Sequence, residues 1–208
     1  MDISQELKEA IENILTGNKY SDIIENSQKI SKRYRENDGK GEKLVTEQSQ
    51  AIAYAISRMP STYCAVYSAF NQVLKNYKNN LETVLDIGAG TGAATWAISS
   101  LIEPNKMTCL EREIEMRNIG QKLMPTKDVE WKEYDLIRDE IGEKADLVVA
   151  SYVINELTQE DRKQAILKMW DACNKVLLII FFIFDITLFL ITLIIFCIYK
   201  IIFWIKIV

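Results

Sequence analysis

The sequence predicts an α/β fold, a parallel sheet covered by helices and preceded by a helical region, and three observations predict it. From Thr83 onward short apolar runs alternate with segments of helical period, the rhythm of βαβ units. The first run opens VLDIGAGTGAATWAI, where glycine returns at Gly88, Gly90 and Gly92 between a strand and a helix. Residues 1–80 carry amphipathic helical repeats instead.

At the N-terminus, Asp2 followed by Gln5 has the form of a capping box, and Ile3, Leu7, Ile11, Ile14 and Leu15 recur at helical spacing. Ser21 is expected to open a second helix, with Ile23, Ile24, Ile30 and Tyr34 on one side. The string ENDGKGEK, residues 36–43, marks a flexible connection. EQSQAIAYAISRM then reads as helix until Pro60 pushes Met59 out of the helical region. Ser61 caps a further helix whose Tyr63, Val66, Tyr67, Phe70, Val73 and Leu74 form a broad apolar stripe.

Candidate strands follow at Thr83–Ile87, Met107–Leu110, Val129–Tyr134, Asp146–Ala150 and Lys175–Ile180, with helices around Ala93–Leu101, Met116–Leu123 and Asp161–Cys173. The rhythm breaks in the last stretch. From Leu177 to Ile198 only Asp185 is charged, long enough to span a bilayer. Three readings stand: a membrane anchor, a buried strand with unusual packing, or a tail not selected for this fold, such as the product of a reading-frame change. The organisation is thus a helical region (1–80), an α/β core that is partial (81–180) and an apolar tail (181–208), with the sheet incomplete at its C-terminal side.

Composition narrows the function. With 49% hydrophobic and 26% charged residues the chain is of globular type, and its formal net charge of −4 carries no global field for nucleic acid. Any RNA contact has to be local, and DNA is not an expected partner. There is no histidine, and Cys64, Cys109, Cys173 and Cys197 form no CxxC, which excludes the common zinc sets, a Ser-His-Asp triad and a histidine base. The acidic N-terminus does not read as a signal peptide, so the expected location is cytoplasmic, or membrane-associated through residues 177–198 if that tail is genuine.

The glycine loop carries the chemistry. Glycines between strand and helix let the backbone approach a ligand, while the helix N-terminus offers unpaired N–H groups. Gly88, Gly90 and Ala93 satisfy the loose dinucleotide fingerprint, and Asp86 with Gly88, Gly90 and Gly92 has the E/DxGxGxG form of an S-adenosylmethionine loop. Asp86 favours the second, because a phosphate-binding loop has no call for a carboxylate there. Glu111, ending the second strand, is placed to accept from both ribose hydroxyls; its alternative is an exposed acid in EREIEMR. Asp135, after the third strand, is placed to reach the adenine amino group, and equally suits an ordinary acid at a strand end. Past the fourth, Ser151 is a further candidate for cofactor contact, and with Tyr152, Asn155 and Glu156 it stands where the methyl acceptor is expected, although Asn155 and Glu156 equally suit the start of a helix.

ISRMPSTYCAVYSAFNQV, VLDIGAGTGAATWAI, CLEREIEMRNIGQKLM and ADLVVASYVINEL, in this order, resemble the rRNA methylases found in bacteria and associated with the mitochondrial small ribosomal subunit. The resemblance runs from about Thr46 to Leu178, and the helical RMP segment is its most specific part. It implies a class I (Rossmann-like) methyltransferase fold, S-adenosylmethionine as cofactor, and small-subunit rRNA or the small ribosomal subunit as partner. It also implies that Arg58, Pro60 and Tyr63 border the cofactor pocket. The chain departs from the family after the fifth strand, where an acidic loop, further strands and cluster-binding cysteines are expected and the apolar tail stands instead. No metal or cluster residue carries over, and the resemblance is to a truncated member.

Methyl transfer from a sulfonium needs an aligned acceptor more than a general base. Glu156 is the candidate for orienting or deprotonating that acceptor. A remnant that holds cofactor or ribosome without turnover, and a nicotinamide-dependent oxidoreductase, are the rival readings.

Overall fold

A computed structural model describes residues 2–36, 43–124, 128–181 and 201–206. Four helices come first: α1 (Gln5–Leu15), α2 (Tyr20–Glu36), α3 (Gln48–Ser57) and α4 (Met59–Asn76). The α/β part follows as β1 (Thr83–Ile87), α5 (Ala93–Ser99), β2 (Lys106–Glu111), α6 (Ile114–Leu123), β3 (Val129–Glu133), β4 (Ala145–Ser151), a 3-10 turn (Val153–Glu156), α7 (Gln159–Ala172), β5 (Cys173–Phe181) and β6 (Ile201–Lys206).

Local chemistry moves three expected boundaries. Ser4, not Asp2, caps α1, its hydroxyl accepting from the Leu7 N–H at 3.3 Å, while Asp2 pairs with Lys8 at 2.6 Å. The second helix begins at Tyr20, ahead of Ser21. Met59 is helical and the break falls at Arg58, because Pro60 occupies the first turn of α4, where a missing N–H leaves no bond unmade. The connection at 37–42 and tail residues 182–200 lie outside the described residues.

The strands lie in the order β3-β2-β1-β4-β5-β6, and every neighbouring pair is parallel. The last pairing joins Val176–Phe181 of β5 to Ile201–Lys206 of the tail. Side chains alternate across the sheet with the strand period. Val84, Leu147, Val149, Val176 and Leu178 pack toward α4, α5 and α6, while Leu85, Ile87, Val148, Leu177 and Ile179 pack toward α7. Both faces are covered, which explains why β4 and β5 read as almost unbroken apolar runs. Because Leu7, Ile52, Ala55, Met59, Phe70 and Val73 join the same core, α1, α3 and α4 are built onto the sheet. Among the described residues no helix is long and apolar enough to cross a membrane.

Candidate functional site

Strand order reverses between β1 and β4, and in an open parallel sheet the crevice at the carboxyl ends of such strands is where ligands bind. A cleft opens there. Gly88 and Gly90 line it from β1, Glu111, Arg112 and Glu113 from β2, Asp135 from the β3 end, and Ser151, Val153 and Glu156 from β4 and its turn. Its cavity volume is about 90 Å³. Enclosed small-molecule pockets run to roughly 300–1,000 Å³, so a nucleoside would lie largely in the open mouth.

Gly88, Gly90 and Gly92 all have positive φ, at 66°, 57° and 85°, so the loop geometry requires residues without a Cβ penalty. They differ in what they face. A Cβ at Gly88 would stand 2.5 Å from Val153 Cγ2, and one at Gly92 would meet Met124 and the Trp131 ring, so both are bare to let the chain pack against itself. Gly90 has ordinary clearance, with Tyr54 at 3.6 Å and Met116 at 3.7 Å. Val153 reaches Gly88 because the chain turns sharply after β4: Tyr152 is the one non-glycine residue with positive φ (65°) among the described residues. Backbone held in that region costs about 1–3 kcal/mol and concentrates at functional sites.

Glu111 locks the loop to β2. Its Oε2 accepts from the Gly90 N–H and its Oε1 from the Glu113 N–H, both at 2.8 Å. Burial pushes the carboxyl above its ordinary range, and the two backbone donors pull it back. Each oxygen keeps a further lone pair, so ribose hydroxyls remain within its capacity. Asp135 Oδ1 accepts from the Ile137 and Arg138 N–H groups at 3.0 and 3.3 Å, shaping the turn after β3.

Asp86 lies fully buried beneath the loop rather than on the cleft wall. Its Oδ2 accepts from the Thr95 N–H at 3.1 Å and the Thr95 hydroxyl at 2.8 Å, in the first turn of α5. Its Oδ1 has no hydrogen-bond partner among the described residues. Burial, with Glu111 nearby, pushes its pKa up to about 7 against the pull of Thr95. An orphaned, fully buried carboxylate oxygen under the glycine loop is where an ordered water finds an acceptor.

The RMP segment sits apart from the cleft wall. Tyr63 is buried in α4 and donates to the Ser100 hydroxyl at 3.1 Å, at the far end of α5 from the glycine loop. Arg58 donates to Ser31 at 3.2 Å and, like Pro60 and Gly92, is absent from the cleft wall. The stripe that placed Tyr63 in a helix aims it at the core. Met59 between them touches the loop: the Thr91 hydroxyl donates to its sulfur at 3.6 Å.

Tyr54, Arg112, Glu113 and Asp161 also line the wall and were not singled out from sequence. Arg112 and Glu113 follow a motif acid and could have been suspected. Tyr54 carried no local signal. Glu111, Glu113, Asp135, Glu156 and Asp161 give the cleft five carboxylates against the Arg112 guanidinium, so its field favours a cationic ligand. Among the described residues no group of three or more His, Cys, Asp or Glu is arranged to hold a metal ion.

Solved structures share this architecture. A DhpI–SAH complex superposes with a TM-score of 0.51 at 17% identity, covering 70% of this chain and 64% of that one. The plantazolicin methyltransferase BpumL reaches 0.51 at 12% identity, covering 73% and 56%. Among curated relatives, the human ribosome assembly protein METTL17, mitochondrial, is 22% identical over 152 residues, covering 67% of this chain and 33% of its own length. An uncharacterized methyltransferase of Bacillus mycoides is 28% identical over 114 residues, covering 54% and 52%. The chain therefore spans a third to about half of the relatives it matches. The fold is that of class I, Rossmann-like methyltransferases. Residues 48–181 match the family model described as mitochondrial small ribosomal subunit Rsm22, so the run from α3 through β5 places this chain in the Rsm22 family.

Proposed function

We propose that the chain is an S-adenosylmethionine-dependent methyltransferase core that acts on small-subunit rRNA or during assembly of the small ribosomal subunit. The observation that carries the cofactor is the charge of the cleft: five carboxylates and one guanidinium around a bare glycine loop. A nicotinamide dinucleotide would bring its pyrophosphate into that field, whereas S-adenosylmethionine brings a sulfonium and an ammonium. The residues fit the cofactor, with Gly90 open to the cleft, Glu111 for the ribose, Asp135 toward the adenine and the orphaned Asp86 oxygen beneath.

When bound, the cofactor supplies an activated methyl group, and the chain's part is to hold the two reactants in line. Ser151 and Glu156 stand at the β4 end of the cleft, where an acceptor would approach. In this reading Glu156 orients the acceptor or takes its proton. The ribosomal substrate rests on membership of the family and on the likeness to a ribosome assembly protein. A ribosomal partner belongs to the same proposal.

A second reading, a cofactor- or ribosome-binding relative without turnover, draws on the same acidic cleft, which repels a polyanionic acceptor. Calorimetry of the full chain with S-adenosylmethionine, S-adenosylhomocysteine and NAD tests the cofactor, and binding of NAD alone overturns both readings. Transfer of tritiated methyl to small-subunit particles then separates enzyme from binder: incorporation supports the first, and none at saturating cofactor supports the second.

A further inference from the structure

We propose that Glu113 is a positioning residue: it docks the segment before α3 so that Tyr54 forms a wall of the ligand site above Gly90. This deepens the methyltransferase reading and rests on it for the identity of the ligand.

The carboxylate of Glu113 is buried, at 6% exposure. It accepts from two consecutive backbone groups of the helical region, Leu44 N–H at 2.6 Å and Val45 N–H at 2.9 Å. A buried carboxylate paired to two fixed amides holds a backbone in one place, because releasing either donor leaves unpaired polar groups without water. The same segment is tied on its other side. Arg33 donates to the Leu44 carbonyl at 2.8 Å, and the Thr46 N–H donates to Gln50 Oε1 at 3.1 Å. Leu44 and Val45 are themselves buried, so the clamp lies under an apolar seal.

The clamp is continuous with the glycine loop. The Glu113 N–H donates to Glu111, and the other Glu111 oxygen accepts from Gly90. One chain of hydrogen bonds thus runs from Gly90 through Glu111 and Glu113 to the start of α3. Two turns into α3, Tyr54 returns to the loop, its Cε1 and hydroxyl 3.6 and 3.7 Å from the point a Gly90 Cβ would occupy. A ligand lying on the bare face of Gly90 has to pass Tyr54. Glu113 borders the cleft, but both its oxygens are turned to Leu44 and Val45, and in this proposal it acts through the residue it places.

The test is a double-mutant cycle on the full chain, with S-adenosylmethionine and S-adenosylhomocysteine titrated by calorimetry. Glu113→Gln and Tyr54→Ala are each expected to weaken binding about tenfold, and the double variant about tenfold as well, not a hundredfold. Multiplying losses, or unchanged affinity in Glu113→Gln, overturn the proposal. Should Glu113→Gln not fold, Glu113→Asp, with the charge kept and the reach shortened, is expected to show the same non-additivity at smaller amplitude. A ligand-free arm keeps the two readings apart: amide hydrogen exchange over Leu44–Ser57 should quicken in the Glu113 variants and stay slow in Tyr54→Ala. If wild type binds neither ligand, the cofactor reading falls while exchange still decides the clamp, and unchanged exchange in the Glu113 variants sinks it.

Discussion

The carboxylate of Glu111 accepts from the backbone N–H of Gly90 at 2.8 Å, so the acid ending β2 is an integral part of the glycine loop that follows β1. The cleft wall and the loop geometry therefore meet in one side chain. Glu111→Gln replaces one acceptor oxygen with a donor and sets it against the N–H of Gly90 or Glu113. The expected loss is about 1–3 kcal/mol of stability, together with at least a tenfold loss of cofactor affinity, about 1.4 kcal/mol. Urea denaturation and calorimetry measure the two, and full affinity in the variant would remove Glu111 from the site.

Asp86 makes stability depend on pH in a direction opposite to that of a salt-bridged acid. Its carboxyl titrates at 3.8 when unperturbed and about 7 in the fold. Between those values the folded chain holds a proton that the unfolded chain has released, so stability falls as pH rises through the window. A shift of this size corresponds to about 4 kcal/mol if Asp86 acts alone. Buried Glu111 and Glu113, whose pKa values are also raised, add in the same direction. Urea midpoints should drop between about pH 4 and pH 7, and Asp86→Asn should flatten the slope. An equally steep slope in the variant would assign it to other groups.

Two glycines separate backbone strain from packing. Gly17 has φ of 87° and open space around it, whereas Gly88 has φ of 66° and Val153 against it. Alanine at Gly17 should cost about 1–2 kcal/mol for the left-handed backbone alone. At Gly88 the same strain is joined by displacement of Val153, another 1–3 kcal/mol or so. Thermal denaturation of the two variants reports the difference, and equal costs would mean that Val153 moves freely aside.

Tyr63→Phe tests the placement of the RMP segment. Its hydroxyl serves Ser100 and not the cleft, so about 1 kcal/mol of stability should go while cofactor affinity stays at the wild-type value. A loss of affinity in this variant would return Tyr63 to the binding site.

Glu156→Ala probes the acceptor end. General acid–base participation is worth about 10²–10⁴-fold in rate, so transfer should fall at least a hundredfold with cofactor binding unchanged. Full methylation by the variant would leave Glu156 without a chemical role.

Period and punctuation made the scaffold legible. β1 has the bounds expected from its apolar run, Thr83–Ile87, and β2, β4 and β5 differ only by a residue or two at each end. The glycine loop and the acids at the strand ends were readable for the same reason. Strand length, alternation and turn residues are local properties, and the carboxyl ends of parallel strands share one edge once the order is set. Errors fell where local signals competed, as at Ser4 against Asp2 and at Pro60, whose place in the first turn depends on where the chain breaks.

By itself, the sequence determined the strand–helix alternation, the parallel sheet, the bare loop and the acids around it, because each is written within a few neighbouring residues. Only the tertiary structure decided that Asp86 turns inward to Thr95, that Val153 closes on Gly88, and that Glu113 holds Leu44 across 69 positions of chain. Those contacts arise from packing distant segments on one sheet. No spacing in the chain encodes which amide a buried carboxylate will meet.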